Sequence, residues 1–238
     1  MSLPKLEVCI SPLLFNLHQV KHKNVVVIDV LRATSTICAA LSNGAKSVIP
    51  VTTIEECLAL KTTENIIACE REGKIADGFE HGNSPLEYTP AIIKDKSLVL
   101  TTTNGTRCIN MSKGADLIIT GSFLNLSAVT AFLAKSNKDT ILFCSGWKDQ
   151  FSLEDTLFAG AVIDQLQDKF NFNNDSSFAA WQLYQSAKDD LLNYVKNSSH
   201  YQRLAGYGIE KDIAFCVNID TYSIVPYLNS TNQLTILH

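Results

Sequence analysis

The chain has 238 residues, 46% of them apolar, which is enough for one large core or two intimately packed subdomains. Lys and Arg number 20 against 24 Asp and Glu, a formal net charge of −4, and no basic run or stripe stands ready to neutralise phosphates, which argues against a nucleic-acid surface. No apolar run approaches the about 20 residues needed to cross a bilayer, and the opening Met1-Ser2-Leu3-Pro4-Lys5-Leu6-Glu7 lacks the basic-then-apolar order of a signal peptide, so a cytoplasmic protein without membrane contact is expected.

The first strand signal, residues 25–28, runs into Asp29-Val30-Leu31-Arg32-Ala33-Thr34-Ser35-Thr36. A helix-like stretch at 35–43, a strand at 47–51, a helix at 53–61 and a strand at 65–69 follow. After Cys69-Glu70-Arg71-Glu72-Gly73 comes the turn-rich Gly78-Phe79-Glu80-His81-Gly82-Asn83-Ser84-Pro85, which on its own terms is a solvated surface loop. The strand at 98–100 leads into Thr101-Thr102-Thr103-Asn104-Gly105-Thr106-Arg107, and then come a helix at 106–112, a strand at 117–120, a helix at 127–135, a strand at 141–144 and a helix at 153–167. Residues 170–174 read as a loop, 177–197 as a helical excursion and 212–220 as a strand, after which Pro226 is barred from a central ladder position.

This alternation predicts an α/β fold, a three-layer αβα arrangement around a mainly parallel or mixed sheet, with the ligand outside the carboxyl ends of the strands. Asn43-Gly44-Ala45-Lys46 and Lys113-Gly114-Ala115-Asp116 each follow an arginine-bearing helix start and precede a strand. The echo suggests two similar subdomains, 1–95 and 96–238, within a single catalytic unit of residues 1–238, although helix–Gly–strand is also common grammar in such folds.

The two strand-end segments carry the chemistry. Thr101, Thr102, Thr103, Asn104 and Thr106 offer short oxygen-binding side chains, Gly105 is read as freeing the backbone so that N–H groups turn inward, and Arg107 adds a planar charged fork. Arg32, with Thr34 and Ser35, repeats the design after the first strand, and the competing reading of either segment is a strand followed by a Thr/Ser helix cap. Asp29 and Glu70 are expected at the same sheet edge, with Asn83 and Ser84 supplying further polar contacts. Ser152 reads as the cap of a helix whose first turn holds Glu154 and Asp155, which account for themselves as first-turn acids or reach a hard cation such as Mg²⁺. His81 stands alone without metal-ligand spacing. Cys144 lacks the Cys-x5-Arg cradle of cysteine phosphatases, Gln150 standing five residues on. The seven cysteines, Cys9, Cys38, Cys57, Cys69, Cys108, Cys144 and Cys216, never form Cys-x-x-Cys and read as small buried hydrophobes.

Taken in order, the blocks 27–36, 78–85 and 101–107, together with Gly121-Ser122-Phe123-Leu124-Asn125 and Phe151-Ser152-Leu153-Glu154-Asp155, resemble the 2-phosphosulfolactate phosphatase family over residues 25–165, with a weaker match near 212–226. The resemblance implies a Mg²⁺-dependent phosphatase converting 2-phospho-3-sulfolactate to 3-sulfolactate and phosphate, a step of coenzyme M biosynthesis. Three departures stand out: Cys69 where the family more often has glycine, Glu80 for aspartate, and the bulky Trp147-Lys148-Asp149-Gln150 loop. They bear on the substrate's side groups, because loops set which groups fit.

The expected site has Asp29, Arg32, Arg107 and Asp155 as catalytic residues and Asp29, Glu70 and Asp155 around Mg²⁺. Thr34, Ser35, Asn83, Ser84, Thr103, Asn104, Gly105, Thr106 and Ser122 are expected to bind the small anionic phosphorylated substrate, and loss of Arg107 is expected to cripple turnover. The nucleophile is either a metal-activated water or Asp29 itself; the Asp-x-Asp of haloacid dehalogenase-type phosphatases is missing, since position 31 is Leu. A phosphatase of another small phosphorylated hydroxy acid and a non-catalytic binder of anionic metabolites are the rival readings, and a homodimer is the default expectation for assembly.

Overall fold

The computed structural model describes residues 2–238. Its strands are, in chain order, β1 (Leu6–Cys9), β2 (Asn24–Ile28), β3 (Ser47–Pro50), β4 (Asn65–Arg71), β5 (Lys74–Ile75), β6 (Ser97–Thr101), β7 (Leu117–Gly121), β8 (Thr140–Cys144), β9 (Pro226–Leu228) and β10 (Leu234–Ile236). The helices are α1 (Ala33–Ser42), α2 (Ile54–Ala59), α3 (Pro90–Ile93), α4 (Gly105–Met111), α5 (Leu126–Ser136), α6 (Leu153–Leu166), α7 (Asp175–Ala187), α8 (Leu191–Val195), α9 (Ser199–Ala205) and α10 (Glu210–Cys216).

The strands form one mixed sheet in the order β1-β8-β2-β7-β9-β10-β3-β6-β4-β5. Two parallel blocks, β1-β8-β2-β7 and β3-β6-β4, are joined by the antiparallel hairpin β9–β10, with β9 paired to β7 and β10 to β3. Helix α1 carries the chain from β2 in the first block to β3 in the second, and α4 carries it back from β6 to β7.

Alternation along β2 explains the layering. Val26 and Ile28 face one core with Leu126, Val129, Leu157, Phe158 and Val162 of α5 and α6, whereas Val25 and Val27 face a second core with Ile37 and Ala40 of α1 and Cys108 and Ile109 of α4. A small third cluster places Cys57 of α2 against Ile67 and Val99. The three-layer αβα arrangement expected from the alternation is therefore the observed one.

Three expectations are corrected. Residues 212–220 form no strand: α10 covers Glu210–Cys216, because Ile213, Cys216 and Val217 bury at helical spacing while Ala214 and Phe215 are half-buried. Pro226 does enter the sheet interior, as the first residue of β9, a position that tolerates a missing N–H. The excursion at 177–197 is broken between α7 and α8, where Asp190 accepts a hydrogen bond from the Asn193 N–H at 3.3 Å and restarts the helix. No helix among the described residues is long and apolar enough to cross a membrane.

Candidate active site

β2 ends at Ile28, and the turn into α1 is braced by its own side chains. The Thr34 hydroxyl accepts from the Asp29 N–H at 3.1 Å and donates to the Asp29 carbonyl at 2.9 Å, and Ser35 Oγ donates to the Val30 carbonyl at 2.8 Å. Thr34 and Ser35 thus shape the turn from within it. Asp29 Oδ1 accepts from the Ala33 N–H at 3.2 Å, and Oδ2 makes no hydrogen bond among the described residues. Burial pushes the Asp29 carboxyl up to about 6; the Ala33 bond and His200 oppose the rise, and Glu70 and Glu154 add to it.

α4 begins directly against this turn. A Cβ on Gly105 would stand 2.6 Å from Ala33 Cβ and 2.8 Å from Asp29 Oδ2, so glycine is required here by close approach. The expected reason, an inward-turning backbone, does not apply, since Gly105 opens a regular helix and carries no positive φ. Thr106 exchanges hydrogen bonds with Thr102 and caps the same turn locally.

Glu70, at the end of β4, is held by a tight hairpin whose turn residues Glu72 and Gly73 both have positive φ, at 55° and 86°. Glu70 Oε1 accepts from the Gly73 N–H at 2.5 Å and Oε2 from the Thr103 N–H at 3.2 Å, while Thr103 Oγ1 sits 3.3 Å away. Arg32, only 6% exposed, pairs through Nη1 with Asp212 and donates through Nη2 to the Gly73 carbonyl at 3.1 Å. Ser84 Oγ donates to the other Asp212 oxygen at 2.8 Å.

These elements line a cleft formed by Asp29, Arg32, Glu70, Asn83 and Asn104 from the strand-end segments and by Trp147, His200 and Arg203 from outside them. Asn83 Oδ1 is buried there without a partner. His200 Nδ1 bonds Glu154 Oε1, and the His200 ring stacks on Trp147 at 5.9 Å. Burial alone would raise the Glu154 carboxyl, but His200 beside it outweighs that and holds it below its ordinary value. The guanidinium of Arg203 lies over the Trp147 ring, 3.6 Å from its centroid.

Several expected site residues stand elsewhere. Arg107 is not among the residues lining the cleft and pairs with Asp149 at 2.8 Å, its side chain 46% exposed. Asp155 faces inward to backbone: Oδ1 accepts from the Val30 N–H at 2.9 Å and Oδ2 from the Gly146 N–H at 3.1 Å, so it splints two strand-end loops together. Burial, then Glu154 and Asp29, push its carboxyl well above the ordinary range. Ser122 closes a capping box with Asn125. Among the described residues no three His, Cys, Asp or Glu side chains are grouped for a metal, so Asp29, Glu70 and Asp155 do not form the expected cage. His200 and Arg203 were not legible as site residues; the only sequence signal is their i, i+3 spacing, with Leu204 beside them, on one short helix.

An α/β sheet whose strand-end cleft combines buried carboxylates with guanidinium groups has the make-up of an enzyme's active site. The family described as 2-phosphosulpholactate phosphatase matches residues 9–231. A probable 2-phosphosulfolactate phosphatase of Caldanaerobacter subterraneus subsp. tengcongensis is 43% identical over 220 residues, covering 90% of this chain and 91% of the relative. One of Thermotoga petrophila is 49% identical over 210 residues (88% and 90%), and one of Clostridium acetobutylicum is 39% identical over 215 residues (87% and 90%). The chain belongs to the 2-phosphosulfolactate phosphatase family, and as a member it is a phosphoric monoester hydrolase.

Proposed function

We propose that the protein is a Mg²⁺-dependent phosphatase that hydrolyses 2-phospho-3-sulfolactate to 3-sulfolactate and phosphate. The observation that carries this reading is the convergence of Asp29, Glu70, Arg32 and the partnerless Asn83 Oδ1 on one cleft. Two carboxylates facing a polyanionic ester repel it unless a cation lies between them. Mg²⁺ commonly takes only one or two carboxylates and completes its shell with substrate phosphate and water, so a three-carboxylate cage is not needed. Asp29, Glu70 and Asn83 are the oxygens that would hold it, and when bound it supplies charge neutralisation at the phosphoryl group.

The chain's own residues account for the rest. Arg32, fixed by Asp212 and the Gly73 carbonyl, sets positive charge beside the phosphoryl oxygens. Asp29 Oδ2 is the atom free either to take a proton from the attacking water or to bond phosphorus directly. His200, tied through Nδ1 to Glu154, has Nε2 left to protonate the leaving sulfolactate oxygen as the P–O bond breaks. The seven cysteines are free and buried, which suits the reducing compartment of a cytoplasmic enzyme.

Phosphate release from 2-phospho-3-sulfolactate, with and without Mg²⁺, beside 2-phospholactate and 2-phosphoglycolate, tests the reading. Mg²⁺-dependent turnover of the sulfonated ester alone is expected. Turnover of the other esters in its place would discard the substrate and keep the chemistry. That control matters because the Trp147 loop, which departs from the family pattern, lines the cleft.

A further inference from the structure

Of the cations around the cleft, Arg203 is the one with buried donors that lack a partner among the described residues. Arg32 is engaged by Asp212 and Gly73, and Arg107 by Asp149. Arg203 has Nε and Nη2 buried with no hydrogen-bond partner. Glu70 is bonded by the Gly73 and Thr103 N–H groups and Glu72 by Lys148 at 3.4 Å, while Glu154 gives Oε1 to His200 and keeps Oε2 buried without a partner, so no carboxylate bonds the free edge of Arg203. Nε and Nη2 lie on one edge of the guanidinium, the edge that presents two parallel N–H groups to a pair of oxygens. The Trp147 ring, 3.6 Å from Cζ to its centroid, supports the guanidinium from one side. Buried donors left unsatisfied are costly, and a ligand that supplies two oxygens removes that cost.

We propose that Arg203, held flat on Trp147, is the oxyanion clamp of this enzyme, gripping two oxygens of one tetrahedral anionic group of the substrate, phosphoryl or sulfonate. The assignment rests on the phosphatase reading only for the substrate's name; the clamp itself takes any anion of that geometry. It also gives α9 a task that the strand-end segments do not perform. Those segments hold the substrate from below, and α9 brings the second guanidinium from a separate element.

Isothermal titration of the full chain in the presence of Mg²⁺ with inorganic phosphate, with 3-sulfolactate and with lactate tests the clamp without relying on turnover. Saturable binding of phosphate or 3-sulfolactate, with none of lactate, is expected. Arg203→Gln should weaken that binding about tenfold or more and Arg203→Lys should recover only part of it, since lysine lacks the planar fork. Trp147→Phe, which keeps the guanidinium and trims its support, should fall between. Weakening confined to phosphate assigns the phosphoryl subsite, and weakening confined to 3-sulfolactate assigns the sulfonate subsite. Wild-type affinity for both ligands in a folded Arg203→Gln chain overturns the proposal, as does absence of binding to the wild-type protein. Failure to hydrolyse 2-phospho-3-sulfolactate with phosphate binding intact would remove the substrate reading and leave the clamp.

Discussion

Arg32 and Asp212 stand 180 positions apart and form a buried ion pair that ties the β2–α1 turn to α10. Arg32 lines the cleft, and Ser84 on the second Asp212 oxygen draws the 78–85 segment into the same contact. Three distant parts of the chain thus converge on one carboxylate.

Asp212→Ala strands the Arg32 guanidinium in a site 6% exposed. Removing one partner of a buried pair costs about 3–5 kcal/mol, and urea unfolding should show a loss of that order. A loss under about 1 kcal/mol would mean that Arg32 finds compensation elsewhere.

Gly105→Ala sets two effects against each other. Alanine gains about 1 kcal/mol of helix propensity, but its Cβ meets Ala33 Cβ at 2.6 Å and Asp29 Oδ2 at 2.8 Å. Overpacking of that kind costs about 1–3 kcal/mol, so the melting temperature should fall and kcat should fall with it as Asp29 is displaced. Adding Ala33→Gly relieves only one of the two contacts, so it should restore stability more than activity.

Arg107→Ala separates the structure from the reading of the sequence. An exposed pair such as Arg107–Asp149 contributes about 0–1 kcal/mol, and the side chain lies outside the cleft. Stability should change by less than about 1 kcal/mol, and kcat/KM should stay within about threefold of the parent. A loss of about a hundredfold would bring Arg107 back to the reacting group.

Glu7 gives the pH dependence a clear sign. Partial burial raises its carboxyl, but Lys23 at 3.1 Å and His18 at 3.2 Å outweigh that and hold it below the ordinary 4.5. A lowered native pKa stabilises the fold above the unfolded value and is lost as pH falls through the native one. Glu7→Gln should therefore be less stable at about pH 7, by under about 1 kcal/mol because the pair is partly solvated. The gap should close as the pH falls below 4.5. A gap that persists in acid would assign the effect to packing.

The strand–helix alternation was legible because β2, β4, β6, β7 and β8 are apolar runs with turn residues between them, and the meeting of Asp29, Arg32, Glu70 and Asn104 at one cleft was legible because they follow three of those runs, with Asn83 added from the turn-rich 78–85 segment. Residues 212–220 misled because a short apolar run supports either period, and only the burial of Ile213, Cys216 and Val217 decides between them. Arg107 was expected in the cup from its charge and position, and its ion pair was not legible because the partner, Asp149, lies 42 residues on in a loop. His200 and Arg203 were missed because nothing local in a short polar helix marks which surface it will cover.

The hairpin of residues 226–236 joins the two blocks whose inner strands begin at Leu117 and Ser47. A nascent chain therefore leaves the ribosome with both blocks made before the strands that connect them exist. Until then β7 and β3 each present an unpaired edge of backbone donors and acceptors, the kind of surface that recruits neighbouring chains. Shielding of those two edges during synthesis is thus a requirement this topology places on the cell.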